Sequence, residues 1–133
     1  MSERNISTAT FHHVVVAVGS NYDAVLYIAH AQHVLREQFL DIRFSKVVVT
    51  KAIGIEGSPP FQNFLAAFET AIDFQGLNIL LKNIESDCGR DSQNRKEIPL
   101  DIDILSYDGV RYHEQDWNRA YIHSLFEELN ANA

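Results

Sequence analysis

The sequence predicts an α+β fold, a ferredoxin-like βαββαβ antiparallel sheet with helices on one face, followed by a C-terminal helix. Three observations carry this. Short apolar, β-branched runs alternate with stretches of helical period, the two middle strand candidates follow each other with no helix between them, and Gly, Pro, Asn or Asp punctuates the junctions. At 133 residues, 46% apolar and 11% aromatic, the chain holds one domain's worth of core material. A single domain over residues 1–133 is expected, with the polar residues 1–10 flexible.

Residues 11–18 (FHHVVVAV) are an apolar, β-branched run that ends at Gly19, Ser20 and Asn21, residue types that favour turns and helix N-caps. This reads as a central strand feeding a helix. Over residues 22–39, Val25, Ile28, Leu35 and Phe39 follow the 3.6-residue period of an amphipathic helix. Residues 44–52 hold Val47, Val48 and Val49, while residues 61–72 set Phe64, Ala66, Phe68 and Ile72 on one face of a period-2 pattern. Both are expected strands. Between them residues 54–60 (GIEGSPP) are too rich in Gly and Pro for either element and long for a hairpin, which makes the loop a candidate lid. Gly76 precedes Leu77, Leu80, Leu81, Ile84 and Cys88 at i, i+3, i+4, i+7 spacing, and Gly89 stands where a helix C′ residue belongs. A polar stretch, residues 90–97, leads through Pro99 to a fourth strand, residues 100–107, turned by Asp108 and Gly109. Asp116 then reads as the N-cap of a closing helix carrying Trp117, Tyr121, Leu125 and Leu129.

Eleven Lys and Arg against 18 Asp and Glu leave a net charge of −7, so the surface as a whole repels nucleic acid and anionic membranes. No apolar run approaches the roughly 20 residues of a membrane span, and the start has no hydrophobic signal region. The expected location is cytoplasmic. Cys88 is the single cysteine, which excludes an internal disulfide or a cysteine-based zinc site.

The sharpest chemical signal is Leu100-Asp101-Ile102-Asp103-Ile104. Strand alternation sends the apolar residues to one face and both carboxylates to the other, roughly 6 to 7 Å apart. Such a pair raises its own pKa values unless a cation stands between them, and Mg²⁺ fits because it takes one or two carboxylates and completes its shell with water and substrate phosphate. An exposed strand face with two solvated acids is the plainer alternative. Six of the eleven basic residues, Lys82, Arg90, Arg95, Lys96, Arg111 and Arg119, fall in the second half around this pair, which suggests a phosphate site served by Arg forks, with Arg111 the best candidate for ordinary solvated charge. Asn63 sits in the apolar segment of residues 61–65, where its amide must find partners; the edge of a planar heterocycle would serve, and so would loop backbone. Phe61, Trp117 and Tyr121 could stack on such a ring, although aromatics at these spacings also serve as core. His12 and His13 belong to the first strand region and His30 and His33 to the helix, and no spacing among them reads as a metal site.

Gly19-Ser20-Asn21 after the first strand, Phe61-x-Asn63, Ile84-Glu85 with Gly89-Arg90, and above all Leu100-Asp101-Ile102-Asp103-Ile104-Leu105 resemble 6-hydroxymethyl-7,8-dihydropterin pyrophosphokinase of folate biosynthesis, over about residues 13–129. The resemblance implies a ferredoxin-like fold and transfer of diphosphate from ATP to the hydroxymethyl oxygen of the pterin, leaving AMP, with two Mg²⁺ ions. Asp101 and Asp103 then resemble the acids that hold both ions. Thr50, Ile53, Phe61 and Asn63 resemble the pterin pocket, with Tyr121 as the stacking aromatic opposite Phe61. Glu85, Ile104, His113 and Arg119 resemble nucleotide contacts, and Arg90 one of two arginines acting on the phosphates. The register of the second arginine holds Ile98; Arg95, or failing that Lys96, is expected to supply its charge from a loop acting as a lid. Small-molecule substrates are thus the implied partners, with no nucleic acid and no membrane. The alternative is a weakened relative that binds a pterin or nucleotide as a sensor or partner subunit, which Ile98 favours.

Overall fold

The computed structural model describes residues 10–51, 57–89 and 96–131. In chain order these form β1 (His12–Ser20), α1 (Ala24–Gln38), β2 (Arg43–Phe44), β3 (Val48–Thr50), β4 (Phe61–Thr70), α2 (Phe74–Asp87), β5 (Asp101–Tyr107), β6 (Val110–Arg111), α3 (Glu114–Trp117) and α4 (Ala120–Ala131). The sheet order is β2-β4-β1-β5-β6, with β3 also on β4, and every pairing is antiparallel. This is the expected α+β ferredoxin-like architecture. The first strand is central: its nine residues, seven of them apolar or small, pair along their length with β4, from His12 opposite Thr70 to Ser20 opposite Gln62, and on the other side with β5.

Period-2 alternation sorts the core into two layers. On one face Val14, Val16 and Val18 of β1, Phe64, Ala66 and Phe68 of β4, and Ile102 and Ile104 of β5 pack beneath α1 and α2. The other face buries Leu65, Ala67 and Leu105 against Trp117 of α3 and Ile122, Leu125 and Leu129 of α4. The C-terminal helix therefore covers the face that α1 and α2 leave open. No helix among the described residues is long and apolar enough to cross a membrane.

Local chemistry moves several boundaries from their expected positions. Val25 is 75% exposed and the buried stripe of α1 is Ile28, Ala31 and Leu35; each three-residue step falls about 60° short of a full turn, so by Val25 the stripe has rotated off the sheet. The strand expected over residues 44–52 is broken into β2 and β3 at Ser45, whose N–H donates to the Leu65 carbonyl and whose Oγ accepts the Leu65 N–H at 2.8 Å. A side chain there takes a place in the ladder. β4 stops at Thr70, whose Oγ1 accepts the Ile72 N–H. α2 begins at Phe74, earlier than the Gly76 pattern suggests, because Asp73 caps it by accepting the Gly76 N–H at 2.8 Å. Gly76 is needed at that point, since a Cβ would lie 2.9 Å from Asp73 Oδ1. Asp116 is not the N-cap of the closing helix. His113 has φ 57 and starts the single turn of α3, Asp116 lies inside it, and α4 starts anew at Ala120; the break lets Trp117 enter the second core, where Nε1 donates to the carbonyls of Leu105 and Tyr112. The expected helix stop at Gly89 (φ 78) and the Asp108-Gly109 turn (φ 53 and 82) are present as read.

Candidate active site

With Ile102 and Ile104 committed to the core under α2, alternation leaves Asp101 and Asp103 on the α4 face of the sheet. There they line a pocket of about 200 Å³. The end of β1 contributes Gly19 to its wall, β3 and β4 contribute Thr50, Phe61 and Asn63, and the α3–α4 segment contributes Asp116, Arg119 and Tyr121. Seven residues singled out in the sequence thus meet in one place: Thr50, Phe61, Asn63, Asp101, Asp103, Arg119 and Tyr121. A larger hollow of about 770 Å³ lies at the opposite end of the sheet, around His13, Arg43, Glu69 and Phe126, and holds none of them.

Asn63 is only 9% exposed, and its Nδ2 donates to Thr50 Oγ1 at 2.7 Å. β4 and β3 are thereby tied at the pocket wall. Gly19 pairs with Asn63 across the ladder, and a Cβ at Gly19 would come within 2.8 Å of Asn63 Oδ1 and 3.4 Å of the Phe61 ring. Only a residue without a side chain leaves both groups in place.

The acidic end is electrostatically loaded. Burial and the neighbouring charge of Asp101 push Asp103 up to about 6, against the opposing pull of Lys82 and His113. Lys82 Nζ lies 3.5 Å from Asp103 Oδ1, and His113 Nε2 lies 3.8 Å from the same oxygen. Burial alone would lower the Lys82 pKa, but the carboxylates of Asp103, Glu85 and Asp101 raise it. Arg119 is steadied by Asp116 at 3.4 Å. Among the described residues no group of three His, Cys, Asp or Glu could hold a metal. The two carboxylates suit a cation that takes its other ligands from water and phosphate.

Among the described residues no strand lies on the outer edge of β5 beside the acids, since β6 pairs with Ser106 and Tyr107. Side chains of α2 take that place. Glu85, 6% exposed, accepts the Ile102 N–H at 2.6 Å, and Lys82 donates to the Ile102 carbonyl at 3.2 Å and to Glu85 at 3.1 Å. Ile104 is 3% exposed with its side chain in the core under α2, so only its backbone can meet a ligand.

Asn21, 5% exposed, does more than turn the chain. Its Nδ2 donates to the carbonyls of Lys96 at 2.7 Å and Pro59 at 3.3 Å, its Oδ1 accepts the Ile98 N–H at 2.6 Å, and its own N–H donates to the Ile98 carbonyl. One amide ties together the two loops named as candidate lids. Ile53, Arg90 and Arg95, like residues 1–9, lie outside the described residues. Arg111 is not at the site; its guanidinium sits 4.2 Å above the Trp117 ring. Cys88 is buried, and burial followed by Asp87 and Glu85 pushes its thiol up, which makes it inert packing.

Residues 15–131, nearly the whole chain, match the 7,8-dihydro-6-hydroxymethylpterin-pyrophosphokinase (HPPK) family. The chain belongs to this family. It is 37% identical over 99 residues to the 2-amino-4-hydroxy-6-hydroxymethyldihydropteridine pyrophosphokinase of Aquifex aeolicus (strain VF5), covering 71% of this chain and 60% of that protein. It is 27% identical over 134 residues to the folate synthesis bifunctional protein of Arabidopsis thaliana, covering 92% of this chain and 28% of that protein. The chain spans less than two thirds of the length of these curated relatives. All the candidate residues fall within the span matched by the HPPK family. The sequence singles out the acids and Asn63, which line one pocket, but not the contacts of Gly19, Lys82 or Asp116, whose neighbours come from distant parts of the chain or from a turn that the pattern hides.

Proposed function

We propose that the chain catalyses Mg²⁺-dependent transfer of diphosphate from ATP to 6-hydroxymethyl-7,8-dihydropterin, giving AMP and the pterin diphosphate in folate biosynthesis. The observation that carries this reading is the meeting of the Asp101–Asp103 pair and the Thr50–Asn63 pair in one pocket. Asn63 has donor and acceptor capacity left for the ring edge, and Phe61 and Tyr121 offer faces for stacking; Ile53 is assigned to the ring on the family resemblance alone. Asp101 and Asp103 hold magnesium, two ions on the family resemblance. Magnesium supplies charge that screens the phosphate oxygens and orients the transferring group.

Arg119 and His113 bind the nucleotide phosphates and sugar side, the Ile104 backbone meets the nucleotide at the strand edge, and Arg90 and Arg95 steady the transferring phosphates. The hydroxymethyl oxygen attacks the β-phosphorus, the bond from that phosphorus to the oxygen shared with the α-phosphorus breaks, and that oxygen leaves on AMP. The hydroxyl proton departs to solvent. Positioning and charge stabilisation are the whole task of the protein in such a transfer.

Purified protein incubated with Mg-ATP and 6-hydroxymethyl-7,8-dihydropterin should yield AMP and pterin diphosphate in equal amounts. Ile98 favours a second reading, a pterin or nucleotide binder without turnover, because a branched apolar side chain stands where the resemblance places an arginine. Ligand binding without AMP selects that reading.

A further inference from the structure

Lys82 stands between two carboxylates at the open edge of β5. Its ammonium lies 3.1 Å from Glu85 Oε2 and 3.5 Å from Asp103 Oδ1, and donates to the Ile102 carbonyl at 3.2 Å. Glu85 is the nearer and drier partner, its side chain 8% exposed against 22% for Asp103, and ionic hydrogen bonds strengthen as water is removed. The ammonium is therefore shared: its shorter bonds go to Glu85 and the Ile102 carbonyl at the strand edge, and its longer one to Asp103. An ammonium resting fully on Asp103 would compete with any divalent cation for the same carboxylate, and would repel it once bound.

We infer that Glu85 is a positioning residue that limits the hold of Lys82 on Asp103, leaving more of that carboxylate's charge for a divalent cation. This rests on the metal-binding reading of Asp101 and Asp103, and gives Glu85 a role through Lys82 in place of a contact with nucleotide. Charge, not shape, is the agent. A glutamine at position 85 has the same length, and its amide oxygen can still accept the Ile102 N–H that now sits 2.6 Å away, so the edge of β5 stays pinned. What is lost is the anion that holds Lys82. The freed ammonium then turns to Asp103 Oδ1, an oxygen already faced by His113 at 3.8 Å.

The test uses Mn²⁺ alone as the probe, titrated by electron paramagnetic resonance into metal-free protein at pH 8. Four proteins are compared: wild type, Glu85→Gln, Lys82→Met and the double variant. Glu85→Gln should weaken Mn²⁺ binding roughly tenfold, Lys82→Met should bind at least as tightly as wild type, and the double variant should return to the Lys82→Met value. Rescue by deleting a second side chain is a result that a merely structural Glu85 would not give. Wild-type affinity in Glu85→Gln, or a double variant as weak as the single one, overturns the inference. Should Glu85→Gln fail to fold, Lys82→Met decides alone, because removal of a competitor cannot weaken binding. A wild type that binds no Mn²⁺ overturns both this inference and the metal reading beneath it, whereas wild-type binding without an effect at position 85 overturns this inference only.

Discussion

Asp103 carries two opposed demands, and their conflict is measurable. An unfolded aspartate titrates near 3.8, while burial and Asp101 hold the folded group up at about 6. Between those values the folded protein keeps a proton that the unfolded chain has lost, so the Asp103 contribution to stability falls as pH rises through that window and stays unfavourable above it. Asp103→Asn removes the charge without changing the shape. The metal-free variant should therefore melt above wild type at pH 7, with the two curves converging as the pH approaches 4. Mg²⁺ should raise the melting temperature of wild type and not of Asp103→Asn or Asp101→Asn, and both variants should lose AMP formation while remaining folded. At the ring end, Asn63→Ala should weaken pterin binding by about 1 to 3 kcal/mol, because the polar edge of the ring is left unpaired. Gly19→Ala should weaken it as well, since its Cβ would meet Asn63 Oδ1 at 2.8 Å. Fluorescence titration with the pterin checks both, and unchanged affinity in Asn63→Ala would remove the amide from the pocket.

Elements here are placed by side chains that stand in for absent backbone partners. β5 is pinned on one side by β1 and on the other by Glu85 and Lys82 at Ile102, so the strand carrying the acids is held on both edges. Ser45 does the same service for β4 where β2 ends. Asn21 joins two loops whose only common feature in the sequence is their polarity. Its truncation leaves the Ile98 N–H and the carbonyls of Lys96 and Pro59 without that partner, so Asn21→Ala should destabilise the fold by about 1 to 3 kcal/mol. Urea unfolding measures this cost. AMP formation should fall with it, because the segments at Pro59 and Ile98, which lead into β4 and β5, lose their shared anchor. A variant as stable as wild type would show that water replaces the amide without penalty.

Across the whole molecule, the sheet separates support from chemistry. α1 and α2 bury one face, and the other is divided between the core under α4 and the pocket at the ends of β1, β4 and β5. At that end the candidate residues of β3 and β4, of β5 and of the α3–α4 segment converge. In the proposed reaction the charge missing at Ile98 is assigned to Arg95 and Lys96, the latter anchored through its carbonyl to Asn21. Arg95→Ala combined with Lys96→Ala should cut AMP formation at least about tenfold, in the range of losing one charge-stabilising donor, with little change in pterin affinity. Full activity in the double variant would mean that the missing arginine at Ile98 needs no substitute from these two residues.

The sequence by itself determined the order of the main strands and helices and the faces of the strands, because these depend on local period and turn chemistry. Val14, Val16 and Val18, or Asp101 and Asp103, are sorted to their faces by alternation alone. Gly89 and the Asp108-Gly109 turn are equally legible, since positive φ selects residue type locally. The break at Ser45, the restart of the last helix at Ala120, the Asn21 anchor and the partnership of Lys82 with Glu85 and Asp103 were decided only by the tertiary structure. Asn21 lies 75 residues from Lys96 and Lys82 lies 21 from Asp103. A pattern of local hydrophobicity carries no information about which distant polar group will satisfy a buried amide or an open strand edge. That choice is made when the two faces of the sheet are covered and each remaining donor and acceptor must find a partner or lose its solvation.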